Sequence, residues 1–163
     1  MAAGRRGMTM RTDAKGIITG LVVAPAFGAM VCVAGMMVHF VMTDADGAAL
    51  PVAELLPLAS AIWFSALMFA YPAALVFLVL WAGLRAIGAG GLSLVLSGLV
   101  SGFGAMGAYL HRLHGGSIVE ALVGGRDLAT LTLPDLPGAL ALPLIGAGSG
   151  VVAALVFAMF ARR

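Results

Sequence analysis

Three histidines, one cysteine and several methionines are the residues of this chain best suited to chemistry. His39 and His111 fall near the far ends of the first and third apolar stretches, each about 22 residues beyond its start, so parallel helices would hold them at similar depth. Two imidazoles facing each other there would suit the iron of a b-type haem. His114 lies about one turn past His111. Cys32, Met36 and His39 share one helix face, with Met37 and Met42 close by, and together with His114 these soft ligands would suit copper(I). The competing reading is plainer: an imidazole where a span meets water needs no ligand, and thioethers and a thiol fill gaps between helices. It is preferred because no ligand-spacing motif joins the histidines. The expectation is a protein with no catalytic residue, no resident metal and no cofactor.

A single cysteine also excludes an intrachain disulfide, a paired-thiol relay and a cysteine-based zinc site. No phosphate loop, nucleophile elbow or His-Glu-x-x-His helix is present. The nine basic residues form no patch of the kind that nucleic acid requires.

Composition fixes the medium in which such residues must work. Of 163 residues, 62% are hydrophobic and only 10% charged, with a mean hydropathy of +1.11. A soluble domain this small could not hide so many apolar side chains, because surface outruns volume at this size. The solvent is therefore expected to be lipid. Asp, Glu, Lys and Arg are absent from 16–43, 55–84, 86–110 and 136–161. Each gap exceeds the ~20 residues that cross a hydrocarbon core as a helix. The reading is one membrane domain over 1–163, with spans near 17–42, 58–84, 89–110 and 139–161 and outer loops at 43–57 and 111–138. The first stretch is too long for the apolar region of a secretory signal and lacks a small-residue cleavage box.

Basic residues then orient the spans. Arg5, Arg6, Arg11, Lys15, Arg85, Arg162 and Arg163 fall on one side, leaving Arg112 and Arg126 opposite. That bias predicts an all-α, up-down-up-down four-helix bundle in a bacterial inner membrane, with both termini cytoplasmic. Trp63 and Trp81 bracket the second span as interfacial anchors, and Tyr109 and Phe40 are read the same way. In the outer loops, Asp44-Ala45-Asp46-Gly47 signals a turn, and Ser117-Ile118-Val119-Glu120 matches a capping box that could open a short interfacial helix.

Within lipid, helices associate by close approach, which favours small residues four apart. Every span has such a stripe: Gly20, Ala24, Gly28 and Cys32; Ala66, Ala70 and Ala74; Ser93, Ser97 and Ser101, with Gly98 and Gly102 beside them; and Gly146, Gly150 and Ala154. Pro25 and Pro72 interrupt the first two spans. Two short matches suggest an internal duplication: Phe27-Gly28-Ala29-Met30 with Phe103-Gly104-Ala105-Met106, and Ala73-Ala74-Leu75-Val76-Phe77 with Ala153-Ala154-Leu155-Val156-Phe157.

The segment Phe69-Ala70-Tyr71-Pro72-Ala73-Ala74-Leu75, with the apolar run closing at Leu84-Arg85, resembles a pattern of small, uncharacterised four-span bacterial inner-membrane proteins. The resemblance covers roughly residues 60–110 and implies that architecture alone, without an activity or site residues. Absence of ionisable groups from the spans argues against a proton-coupled pump. The first expectation for function is a non-enzymatic protein acting through helix–helix contacts with the bilayer as its surroundings, as an accessory subunit, assembly factor or homo-oligomer. An alternative is permeation or transport of a small neutral or amphipathic molecule, with Pro25, Pro72 and the serine line as its support. Haem or copper binding at the outer face is the third.

Overall fold

The computed structural model describes residues 14–43, 52–115, 120 and 136–161. Those residues form four helices: α1 (Ala14–Thr43), α2 (Val52–Ala86), α3 (Leu92–His114) and α4 (Leu136–Ala161). All four are long and apolar enough to cross a membrane, so the chain has the architecture of an all-α, multi-pass membrane protein. The turn and the interfacial helix expected near residues 44–47 and 117–124 lie outside the described residues, apart from Glu120.

The helices overrun the spans read from the sequence. α2 starts at Val52, inside the stretch assigned to the first outer loop, and passes through Pro57 and Pro72. α4 similarly passes through Pro143, which is fully buried. Between α2 and α3 the order is reversed, and the helix begins later than expected. Gly88 has φ +86°, its N–H donates to the Arg85 carbonyl at 3.1 Å, and the Ala89 N–H donates to the Leu84 carbonyl at 3.0 Å. These paired bonds close the end of α2 around a left-handed glycine. Gly90, at φ +57°, extends the reversal, so α3 starts at Leu92 rather than 89.

Packing is uneven around the ring. α4 lies against both α1 and α3, while α2 bridges α1 and α3 on the other side. Along the α3–α4 seam, glycines let backbone touch backbone: a Cβ built on Gly98 would lie 2.6 Å from the Gly150 carbonyl oxygen and 2.7 Å from the Ala154 Cβ, and one on Gly102 would lie 2.8 Å from the Gly150 Cα. The α1–α4 seam is nearly as close, with a Gly28 Cβ 3.0 Å from the Ala153 Cβ and a Gly35 Cβ 2.7 Å from Ile145 Cγ2. This is the close approach that small residues permit in lipid. α2 has no glycine seam and turns large side chains outward, among them Phe64, Met68, Leu75 and Val79, as suits a surface solvated by acyl chains.

Two clusters close the interior. Val33, Met36, Ile62, Met106 and Leu110 pack at one end, joined by Trp63, Tyr109 and Ile145. At the other end, Ala24, Phe77, Ala154, Phe157 and Ala161 pack with Ile17, Leu21, Trp81 and Leu94.

Candidate functional site

Between the two clusters the bundle is not filled. A cavity of about 90 Å³ lies among all four helices, and it follows from the same small residues that draw the helices together. Glycine and alanine shorten the distance between neighbours around a ring, but they do not reach its centre. α1 contributes Gly20, Ala24, Gly28 and Cys32 to the wall, α2 contributes Ala66, Ala70, Ala73 and Ala74, and α4 contributes Gly146, Gly150, Ala153 and Ala154. The stripes of α1, α2 and α4 thus face inward and are occupied within the bundle.

The wall is almost wholly hydrocarbon. No Asp, Glu, Lys, Arg or His lines it, and its polar side chains are Cys32, Ser101, Tyr109 and Ser149. Ser149 donates to the Gly146 carbonyl at 2.8 Å and Ser101 to the Gly98 carbonyl at 3.1 Å. Cys32 and Ser149 share this wall with Tyr109. At the Tyr109 end, Phe69 meets the phenol ring edge-on at 5.7 Å. The opposite end is closed by Phe77 and Phe157, with Trp81 against Phe157 and the Arg85 guanidinium 5.3 Å from the Trp81 ring centre.

The cavity is open on part of its boundary, so its apolar wall is accessible to a hydrocarbon occupant. Water gains little there because few polar partners are on offer.

The residues considered for metal or haem are spread differently. Cys32 and Met36 line the cavity. His39 is half-buried farther along α1, with its ring 6.2 Å from that of Phe40. His111 and His114 are exposed at the end of α3, and His114 Nδ1 lies 3.1 Å from the Leu110 carbonyl oxygen. Among the described residues, no group of three or more His, Cys, Asp or Glu side chains is arranged to hold a metal ion.

The serine line is buried, with Ser93 and Ser97 at 0% exposure. Ser93 donates back to the Gly90 carbonyl at 2.6 Å. Ser93 and Ser101 therefore serve their own helix, a common use of a hydroxyl in an apolar helix. Ser97 Oγ and Trp63 Nε1 are buried with no hydrogen-bond partner among the described residues. Trp63 and Trp81, read from sequence as anchors at the two headgroup levels, pack against the two end clusters.

Sequence reasoning missed Ser149, the two phenylalanines and the inward role of Tyr109. One signal was present. In the second internal match, Ala73, Ala74 and Phe77 on α2 and Ala153, Ala154 and Phe157 on α4 all reach the cavity wall. The first match has no such equivalence, since Gly28 is buried against α4 and Gly104 has nothing near it. No known protein family, curated protein or solved structure matches the chain.

Proposed function

We propose that this chain is a bacterial inner-membrane protein that takes up a small neutral or amphipathic molecule within the bilayer and carries it across. The carrying observation is the cavity, lined by all four helices and free of Asp, Glu, Lys, Arg and His side chains. A charged solute would lose its hydration there with nothing to replace it, whereas a hydrocarbon-rich one fills unused space. The small-residue stripes favour this role over partner binding because they are consumed inside the bundle. The reading assigns no catalytic residue and treats the bilayer as the only obligatory partner.

An up-down-up-down arrangement with both termini cytoplasmic belongs to the same proposal. It is supported by the pairing of residues at the two ends: Ile17, Leu21, Trp81, Leu94 and Ala161 gather at one end, and Met36, Ile62, Leu110 and Leu142 at the other. The first end carries Lys15 and Arg85, which the basic-residue bias assigns to the cytoplasm.

Cys32 gives a direct test, being the sole cysteine and part of the wall. Cyclopentane should slow N-ethylmaleimide modification of Cys32 in reconstituted protein, and Ala70→Leu, which fills the cavity, should remove that protection. Proteoliposomes should also swell faster than empty liposomes in a glycerol gradient, again through an effect that Ala70→Leu cancels. Identical cyclopentane and glycerol responses in wild type and Ala70→Leu would defeat the proposal.

A further inference from the structure

The four polar side chains of the cavity wall are not equivalent, and their hydrogen-bonding commitments narrow the occupant. Ser101 and Ser149 have spent their protons on the Gly98 and Gly146 carbonyls. A hydroxyl has one proton and two lone pairs, so both oxygens can still accept. Cys32, on the same wall, offers only a weak donor. Tyr109 differs. Its ring meets Phe69 edge-on, it lines the cavity, and no hydrogen bond of its hydroxyl is found among the described residues.

Resting on the reading that the cavity takes up small molecules, we infer that its occupant is an uncharged, compact hydrocarbon bearing one oxygen acceptor, a ketone, ether or alcohol, held by the Tyr109 hydroxyl. Ala66, Ala70 and Ala74 face the hydrocarbon body from α2. A hydroxyl on the occupant could return its own proton to Ser149 or Ser101, whereas a primary amine or carboxylate would enter as an ion and meet no countercharge.

Cyclopentane, cyclopentanone and cyclopentylamine at pH 7 share a ring and differ in this one group. At matched concentrations in the detergent phase, cyclopentanone should protect Cys32 from N-ethylmaleimide at about threefold to tenfold lower concentration than cyclopentane, the span expected for one net hydrogen bond. Protonated cyclopentylamine should give no protection. Tyr109→Phe should bring cyclopentanone to the level of cyclopentane. Thermal unfolding of wild-type and Tyr109→Phe protein gives the same ranking without using the thiol, since a ligand bound to the folded state raises its midpoint. Equal responses to cyclopentane and cyclopentanone in wild type would overturn the acceptor assignment and leave the cavity reading standing. No response to either by both readouts would overturn both.

Discussion

Phe77 of α2 and Phe157 of α4 meet edge to face at one end of the cavity, with ring centres 5.3 Å apart and planes at 75°. Trp81, one turn beyond Phe77, makes a second edge contact with the same Phe157 ring at 5.5 Å. Phe157 is only 2% exposed. These rings connect α2 to α4, helices that otherwise face each other across the cavity, and they separate that cavity from the end carrying Arg85.

Phe157→Ala removes both contacts at once. The loss expected for a buried phenylalanine is about 3–5 kcal/mol, read as a lower thermal midpoint in detergent. The cavity should also become continuous with the Arg85 end. Cys32 would then react faster with a charged, membrane-impermeant maleimide supplied from that side, and Phe157→Leu should fall between the variant and wild type. Unchanged Cys32 reactivity in a folded Phe157→Ala protein would show that the rings do not seal the cavity.

Glycines on α3 and α4 divide into two classes by what a methyl group would meet. Gly102→Ala and Gly150→Ala should each destabilise the protein by about 1–3 kcal/mol, because the new Cβ would overlap the opposing backbone. Gly104→Ala and Gly148→Ala meet nothing within 4 Å, so they should be neutral or gain about 0.5–1 kcal/mol from reduced backbone freedom in the unfolded chain. Denaturation of the four variants side by side separates the classes, and a comparable loss at Gly104 would count against the α3–α4 seam as drawn.

The existence of four apolar helices was legible in sequence because carboxylates, lysines and arginines cannot easily sit in hydrocarbon, and their absence marks the segments. The small-residue stripes were legible for a similar reason, since Gly98, Gly102, Gly146 and Gly150 recur every fourth residue. Whether a stripe meets a neighbour or an empty centre depends on which helices are adjacent, and spacing carries no such information. Ala70 and Gly150 look alike as sequence, yet one faces the void between helices and the other also presses on α3. Tyr109 was hidden differently: a tyrosine near a span end fits an interfacial belt, and only the fold places it on the cavity wall. The late start of α3 required the φ values of Gly88 and Gly90.

Ser97 and Ser93 make a paired test of hydroxyl satisfaction. Both are fully buried, but Ser93 is bonded to Gly90 and Ser97 Oγ has no partner among the described residues. Ser93→Ala should cost about 1 kcal/mol, whereas Ser97→Ala should be neutral or stabilise by about 1 kcal/mol by removing an unpaired dipole. Neither residue lines the cavity, so cyclopentane should still protect Cys32 in Ser97→Ala. Loss of that protection in a stable Ser97→Ala protein would mean that the hydroxyl serves an occupant.

Orientation has its own observable. α1 begins, and α2 and α4 end, around one cluster, and Lys15, Arg85, Arg162 and Arg163 belong to those ends. Positive charge is retained on the cytoplasmic face. An alkaline phosphatase reporter fused after Arg163 should therefore be inactive, whereas one inserted after Gly115, at the far end of α3, should be active. Replacing Arg5, Arg6, Arg11 and Lys15 with glutamine leaves Arg85, Arg162 and Arg163 against Arg112 and Arg126, so the bias narrows without reversing. A mixed population of the two orientations is the expected result, with activity rising at Arg163 and falling at Gly115 together. Movement at one position alone would mean that a single span had failed to insert, and the arginines and lysine would then not be what orients the bundle as a unit.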